Sequence, residues 1–182
     1  MARNHDRWCR LSIPLKKIKS LSIFFAVLIG TAGGAGLLPL APGTWGTLVA
    51  IPISCLTNHW DWTLKLAFWI LVTIVGTWAS KVIVQKFGKA DNQSIVIDEV
   101  IGFGISAWTA GQNYKALAVA FILFRIFDVV KIPPVRQVDR WSKRVSGRSK
   151  WVGGFGVIAD DILAGIQALA VILVLQSFGV LS

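Results

Sequence analysis

Five of the nine acidic residues in this chain lie within or directly beside strongly apolar stretches. They are Asp98, Glu99, Asp128, Asp160 and Asp161. An ionised carboxylate in apolar surroundings is costly unless it is paired, hydrated or bound to a cation. Convergence of the five on one divalent cation would remove that cost for all of them, so we expect a metal site.

The donor types indicate which metal this site would hold. Carboxylate oxygens are hard ligands that suit Mg²⁺, or Mn²⁺, better than zinc. Neither the two Cys nor the two His residues have metal-ligand spacing. Adjacent carboxylates on a helix point about 100° apart. We therefore expect one member of each acidic pair to bind the metal directly and the other to lie beside it.

A second group of charged residues could handle a phosphate. Arg125, Asp128 and Lys131 are three residues apart and share one face of a helix. Two cations on that face could neutralise charge on a transferring phosphoryl group. The same spacing also fits simple helix ion pairs, and the spacing alone does not separate the two interpretations.

The apolar stretches that carry these residues are predicted to be helices, because strand-like alternation is scarce. The predicted segments cover residues 21–29, 48–56, 64–79, 96–110, 116–130 and 157–175. Several are shorter than the roughly 20 residues needed to cross a bilayer. We expect an all-α fold: a compact membrane-embedded bundle of about six helices, some spanning and some half-inserted.

Residues 30–47 interrupt this helical pattern. They contain Pro39, Pro42 and six glycines, which do not suit a regular helix. We expect an irregular segment near the site, whose backbone amides could hold an anion. The segment matches neither a Walker A loop nor a dinucleotide-binding glycine motif.

Composition favours a membrane protein. Hydrophobic residues make up 54% of the chain and charged residues only 15%, too few to cover a soluble surface. The net charge is +10, and its cations cluster in residues 1–20 and 131–150, beside apolar stretches. This is typical of cytoplasmic flanks under the positive-inside rule, and such clusters attract anionic lipids. Nucleic-acid binding is not expected, since no such motif occurs.

The chain divides into a basic N-terminal arm, residues 1–20, and a helical domain, residues 21–182. A basic arm followed by a short apolar run and small residues also resembles a signal peptide. Both interpretations of the first 30 residues are open at this point.

Four stretches of the sequence resemble the phosphatidylglycerophosphatase A family. They are GAGLLPLAPGTWGT at 34–47, IDEVIGF at 97–103, FRIFDVVKIPPVRQVDR at 124–140 and GGFGVIADDILAG at 153–165. They occur in the family's order and spacing, and the resemblance covers roughly residues 30–175. One departure is Lys131-Ile132-Pro133, where the family has Lys-Pro; the Arg, Asp and Lys positions are intact.

The resemblance implies a magnesium-dependent phosphatase of the bacterial cytoplasmic membrane, with its site facing the cytoplasm. It would hydrolyse phosphatidylglycerol phosphate to phosphatidylglycerol and inorganic phosphate during phospholipid synthesis. The implied metal ligands are Asp98, Glu99, Asp128, Asp160 and Asp161. The implied catalytic residues are Glu99, Asp161, Arg125, Lys131 and Thr44. The implied substrate-binding residues are Thr47, Arg125, Lys131 and Arg136.

Several alternatives remain open at the level of sequence. The substrate could be another lipid phosphate, such as phosphatidic acid or a polyprenyl pyrophosphate. Carboxylates and Arg within apolar helices also occur in ion transporters. A membrane-binding or assembly protein with purely structural carboxylates is a third class. Within the enzyme class, either water or an aspartate could attack the phosphate.

Overall fold

The computed structural model describes residues 20–87, 93–145 and 150–181. In these ranges the chain forms seven α-helices and one short 3₁₀ turn, with no strand. The predicted all-α class is confirmed, with one helix more than the six or so expected. The helices are α1 Leu21–Gly30, α2 Pro42–Thr57, α3 Trp62–Phe87, α4 Ile97–Ser106, α5 Tyr114–Val130, α6 Val135–Val145 and α7 Lys150–Ser177; the 3₁₀ turn is Ala35–Leu37.

Helices α4 and α7 form the centre of the bundle. Helix α7 packs against α3, α4, α5 and α6, and α2 packs against α4. A Cβ atom on Gly165 would overlap the carbonyl oxygen of Gly102, and one on Gly102 would lie 2.7 Å from the Asp161 carbonyl oxygen. The two glycines therefore let the backbones of α4 and α7 approach closely. Their contact brings the acidic first turn of α4 next to the acidic part of α7.

The irregular segment is shorter than expected. It covers residues 31–41 rather than 30–47, because α2 already begins at Pro42. Proline is tolerated at the first helical position, where its missing N–H would have no helical partner. Ala32, Leu40 and Ala41 in this segment have positive φ angles. The separate segment predicted at 48–56 is therefore the later part of one helix, which continues through Pro52.

Helix α6 was not predicted, because its sequence is short and strongly basic. One of its faces packs on the bundle: Val135 is buried, and Val138 and Asp139 are half-buried. Arg136 and Arg140 lie on the opposite face and are exposed. The predicted basic arm, residues 1–20, lies outside the described residues apart from Ser20.

Two helical segments, Trp62–Phe87 and Phe155–Ser177, are long and apolar enough to cross a membrane by length and composition. The bundle has two chemically different ends. The acid end contains the first turns of α2 and α4, the last turn of α5 and the first half of α7. The opposite end contains the last turn of α2, the first turn of α3 and the turn at residues 107–113.

Candidate active site

Three of the predicted metal ligands converge at the crossing of α4 and α7. Asp98 and Glu99 lie in the first turn of α4, and Asp161 lies on the buried side of α7. Each offers one carboxylate oxygen within 4.8 Å of the oxygens from the other two. The close packing of α4 on α7 at Gly102 and Gly165 produces this arrangement.

The other two predicted ligands, Asp128 and Asp160, are paired with cations. Arg125 Nη1 donates a hydrogen bond to Asp128 Oδ2 at 2.8 Å. Lys131 Nζ donates to Asp160 Oδ2 at 2.7 Å and to Asp139 Oδ1 at 2.6 Å. The helix ion pair that the sequence left open is therefore present for Arg125 and Asp128. Lys131 instead joins α6 to α7.

The pairing sorts the acidic residues into two groups. Asp98, Glu99 and Asp161 make no ion pair within the described part of the chain. Glu99 Oε2 is buried and has no hydrogen-bond partner among the described residues. Of the five predicted ligands, the three without a cation partner among the described residues are the same three whose oxygens converge. Hard oxygen donors in this arrangement fit Mg²⁺ or Mn²⁺.

The pKa shifts of the charged groups also favour a cation at this site. Burial raises the pKa of Asp98 well above its ordinary value, and the neighbouring charge of Glu99 raises it further. Burial likewise raises the pKa of Glu99. Desolvation disfavours the charged form of Lys131, but its hydrogen bonds to Asp139 and Asp160 outweigh this and raise its pKa. The unpaired acids are thus costly to ionise without a cation, whereas Lys131 stays charged.

The first turn of α2 closes the site from another side. A Cβ on Gly43 would overlap Glu99 Oε1 and lie 3.0 Å from Arg125 Nη1, so the Gly43 backbone lies against both groups. Thr44 follows it and is half-buried. Thr47 is fully buried, and its hydroxyl donates to the Gly43 carbonyl at 2.8 Å within the helix. A substrate-binding role for Thr47 stays a prediction, and its hydroxyl hydrogen is already committed to Gly43.

Comparison with known proteins decides the family. The phosphatidylglycerophosphatase A family matches residues 28–176, most of the chain. This chain belongs to the phosphatidylglycerophosphatase A family. The resemblance deduced from the four motifs is thereby confirmed, and with it the enzyme class, a phosphoric monoester hydrolase.

Individual members support the assignment to the phosphatidylglycerophosphatase A family. A Haemophilus influenzae protein named phosphatidylglycerophosphatase A is 33% identical, over 90% of this chain and 94% of its own length. An Escherichia coli protein of the same name is 33% identical, over 80% of each chain. A Bacteroides thetaiotaomicron protein, provisionally named a phosphatidylinositol-3-phosphatase, is 35% identical over 83% of this chain and 93% of its own. No solved structure matches the chain.

The structure brings together residues from all four stretches that resemble phosphatidylglycerophosphatase A. Gly43 comes from the first, Glu99 from the second, Arg125 from the third and Asp161 from the fourth. Arg136 is exposed on α6, and its substrate-binding role stays a prediction.

Sequence reasoning did not assign Asp139 to the site, because Asp139 lies in a polar stretch of the sequence. Its side chain is half-buried and holds Lys131. The available signal was its position inside the third stretch, eight residues after Lys131. The position of Asp139 on α6 turns its side chain toward the bundle, and the sequence does not show this.

Proposed function

We propose that this chain is a membrane-embedded, magnesium-dependent phosphatase that hydrolyses phosphatidylglycerol phosphate to phosphatidylglycerol and inorganic phosphate. The observation that carries the proposal is the convergence of three carboxylates without a cation partner, beside two cations able to bind phosphate, in a chain of this family.

Asp98, Glu99 and Asp161 would hold the Mg²⁺ ion, for which Mn²⁺ could substitute. Asp128 and Asp160 lie next to them and would support the site from their pairs with Arg125 and Lys131. Within the described residues, Arg125 and Lys131 are the cations that pair with Asp128, Asp139 and Asp160 at this end. A bound divalent ion would polarise the phosphoryl oxygens and lower the pKa of water at the site.

The protein side chains would perform the remaining steps. Arg125 gives one N–H to Asp128 and has further donors that can bind phosphate oxygens. Lys131 adds a second positive charge, and Thr44 lies in the first turn of α2, next to Gly43. Glu99 or Asp161 would accept the proton of the attacking water. The water oxygen joins phosphorus, the bond from phosphorus to the head-group oxygen breaks, and that oxygen takes up a proton.

Surface chemistry supports a location in a membrane. Large apolar side chains are exposed on several helices, including Phe24, Leu71, Ile122 and Val174. An apolar surface that surrounds a bundle is typical of contact with lipid. Trp62 at the opposite end is exposed, as expected for an anchor at a membrane interface.

Charge supports the orientation. The exposed arginines of α6 lie at the acid end, and basic residues favour the cytoplasmic side. We therefore propose the bacterial cytoplasmic membrane, with the acid end facing the cytoplasm and anionic lipids around it.

Head-group choice is the least constrained part of the proposal. The name of the Bacteroides relative makes a phosphoinositide the strongest second candidate. Phosphatidic acid and polyprenyl pyrophosphate also carry phosphate groups that the same carboxylates and cations could bind. An ion transporter would use buried carboxylates too, but would not release phosphate.

A side-by-side assay tests the substrate and the metal requirement together. Purified protein in detergent micelles is given each lipid phosphate, and inorganic phosphate is measured with Mg²⁺ and with EDTA. We expect phosphatidylglycerol phosphate to be the best substrate and EDTA to abolish release. Equal activity in EDTA would overturn the metal requirement, and preference for phosphatidylinositol 3-phosphate would overturn the head-group assignment.

Metal binding can be measured without turnover. Electron paramagnetic resonance of Mn²⁺ added to the metal-free protein should detect a bound ion. We expect Asp98→Asn to lose it. Asp61→Asn is the matched control, because Asp61 is exposed at the opposite end and its carboxylate caps α3 by accepting from the Leu64 amide. Unchanged binding in Asp98→Asn would remove Asp98 from the ligand set.

A further inference from the structure

An apolar groove lies between α1 and α3. Its volume is about 420 Å³. The residues that line it are Leu28, Ile29, Ala32, Gly33, Leu71, Val72, Val75 and Ile97. Every one of these side chains is apolar or absent, so the groove offers hydrocarbon contacts and almost no hydrogen bonds.

The sequence explains why a groove forms here. Helices α1 and α3 touch at Gly30, where an added Cβ would overlap Ile83 and lie 3.9 Å from Ala79. The chain then leaves the helix through Ala32 and Gly33, both at positive φ. A Cβ on Gly33 would meet nothing within 4 Å, so this part of the wall is open.

The groove begins beside the acid cluster. Ile97 forms one of its walls, and Asp98 is the next residue. Gly76 of α3 lies at this level, since its Cβ would be 3.0 Å from Ile97 Cγ1. From Gly76 the lining positions on α3 run back to Leu71, a distance of roughly 7.5 Å along the helix. The groove therefore runs from the level of the cluster toward the opposite end.

We propose that this groove binds an acyl chain of the substrate lipid and so holds the phosphorylated head group at the acid cluster. The proposal rests on the proposed function and adds a subsite to it. A diacyl lipid joins a phosphate to long hydrocarbon chains, and the cluster and the groove offer matching surfaces next to each other. A water-soluble phosphate ester would use the cluster alone.

The orientation of the groove agrees with the proposed membrane location. With the acid end near the cytoplasmic surface, the direction from Gly76 to Leu71 points toward the middle of the bilayer. Leu28 and Leu71 at the rim are exposed, so a chain could enter sideways from the lipid phase. The head group would then stay at the level of Asp98.

A groove-filling variant tests the subsite. Val75→Trp puts a large side chain into the groove, and Ile74→Trp is the matched control, because Ile74 is exposed on the same helix and does not line the groove. Two substrates are compared in detergent, dioleoyl and dihexanoyl phosphatidylglycerol phosphate. We expect Val75→Trp to raise KM for the dioleoyl substrate about tenfold or more. Its KM for the dihexanoyl substrate, and both values for Ile74→Trp, should stay near wild type.

Photolabelling gives a second measurement that does not require turnover. Phosphatidylglycerol phosphate with a diazirine in one acyl chain should label groove residues of the wild type, and Val75→Trp should reduce that label while Ile74→Trp does not. If Val75→Trp fails to fold, Leu71→Trp at the exposed rim replaces it.

The outcomes separate the two proposals. Labelling of the groove without phosphate release by the wild type would overturn the proposed function and support the groove. Phosphate release with equal effects of Val75→Trp on both substrates, or with labelling elsewhere, would overturn the groove and leave the function.

Discussion

The two ends of the bundle differ in the partners that their polar side chains have. At the opposite end, Lys65 Nζ donates to the Asn58 side chain and, at 2.6 Å, to the Trp108 carbonyl oxygen. Asn58 Nδ2 in turn donates to the Gly111 carbonyl oxygen at 2.8 Å. This network satisfies its members with neutral acceptors and ties the turn after α2 to the turn after α4.

At the acid end, by contrast, a buried carboxylate oxygen lacks a hydrogen-bond partner within the described part of the chain. Asp128 and Asp160 have cation partners, but Glu99 Oε2 is buried without a partner among the described residues. The hydrogen bonds around Lys65 connect neighbouring turns and serve the fold. Buried carboxylates without a cation partner among the described residues favour binding of a cation from outside, and this difference supports a functional role for the acid end.

The largest expected effect comes from neutralising an unpaired acid. Glu99→Gln should lower phosphate release by about 10²–10⁴-fold, because the site loses a ligand and a proton acceptor. The melting temperature of the metal-free protein should stay the same or rise, since burial raises the pKa of Glu99 and its ionised form opposes folding. Phosphate assays and thermal unfolding check both parts. Wild-type turnover in Glu99→Gln would refute the role of Glu99, and Asp61→Asn is the control.

A steric change at the same end should have the next largest effect. In Gly43→Ala the new Cβ overlaps Glu99 Oε1 and presses on Arg125, so both groups must move. We expect activity per folded protein to fall about 10–100-fold, as for groups that orient metal ligands. Gly46→Ala is the control, since its Cβ meets Val96 instead and crowds the same helix without touching the cluster. Equal losses in the two variants would mean that packing of α2, and not the site, is affected.

A smaller effect is expected at Asp139. Asp139→Asn removes one of the two carboxylates that share Lys131, so the ammonium group shifts toward Asp160. We expect a loss of about tenfold in kcat/KM and a higher Mg²⁺ concentration for half-maximal activity. Arg140→Gln, an exposed neighbour on α6, should leave both unchanged. A lower melting temperature with unchanged metal dependence would restrict Asp139 to a structural role.

The smallest effect on catalysis is expected at the opposite end. Lys65→Met leaves the Trp108 carbonyl and the Asn58 side chain without their donor. The free energy of unfolding should fall by about 1–3 kcal/mol, the usual result of an unsatisfied buried polar group. Activity per folded protein should not change, and Lys115→Met, exposed at the same end, should change neither quantity. Loss of turnover without loss of stability would contradict the separation of the two ends.

Much of the fold could be predicted, and the exceptions have physical reasons. Apolar helices such as α3 and α5 are visible because their sequences are continuous and hydrophobic. The start of α2 was misjudged, since Pro42 and Gly43 usually disfavour helix but are allowed at a first turn that packs tightly. Helix α6 was not predicted because its stability depends on one apolar edge that packs on the bundle. The many charged residues in its sequence make that edge hard to recognise.

The chemistry of this protein can be predicted from its amino-acid sequence: which side chains are acidic, that five of them lie in apolar stretches, and which family the motifs resemble. How these acidic residues are arranged becomes visible in the folded chain. Asp128 and Asp160 are paired, Asp98, Glu99 and Asp161 converge, and Asp139 joins them from a helix that sequence reasoning had overlooked. The reason is that pairing depends on how helices cross, and that depends on contacts such as Gly102 with Gly165, which are 63 residues apart in the chain.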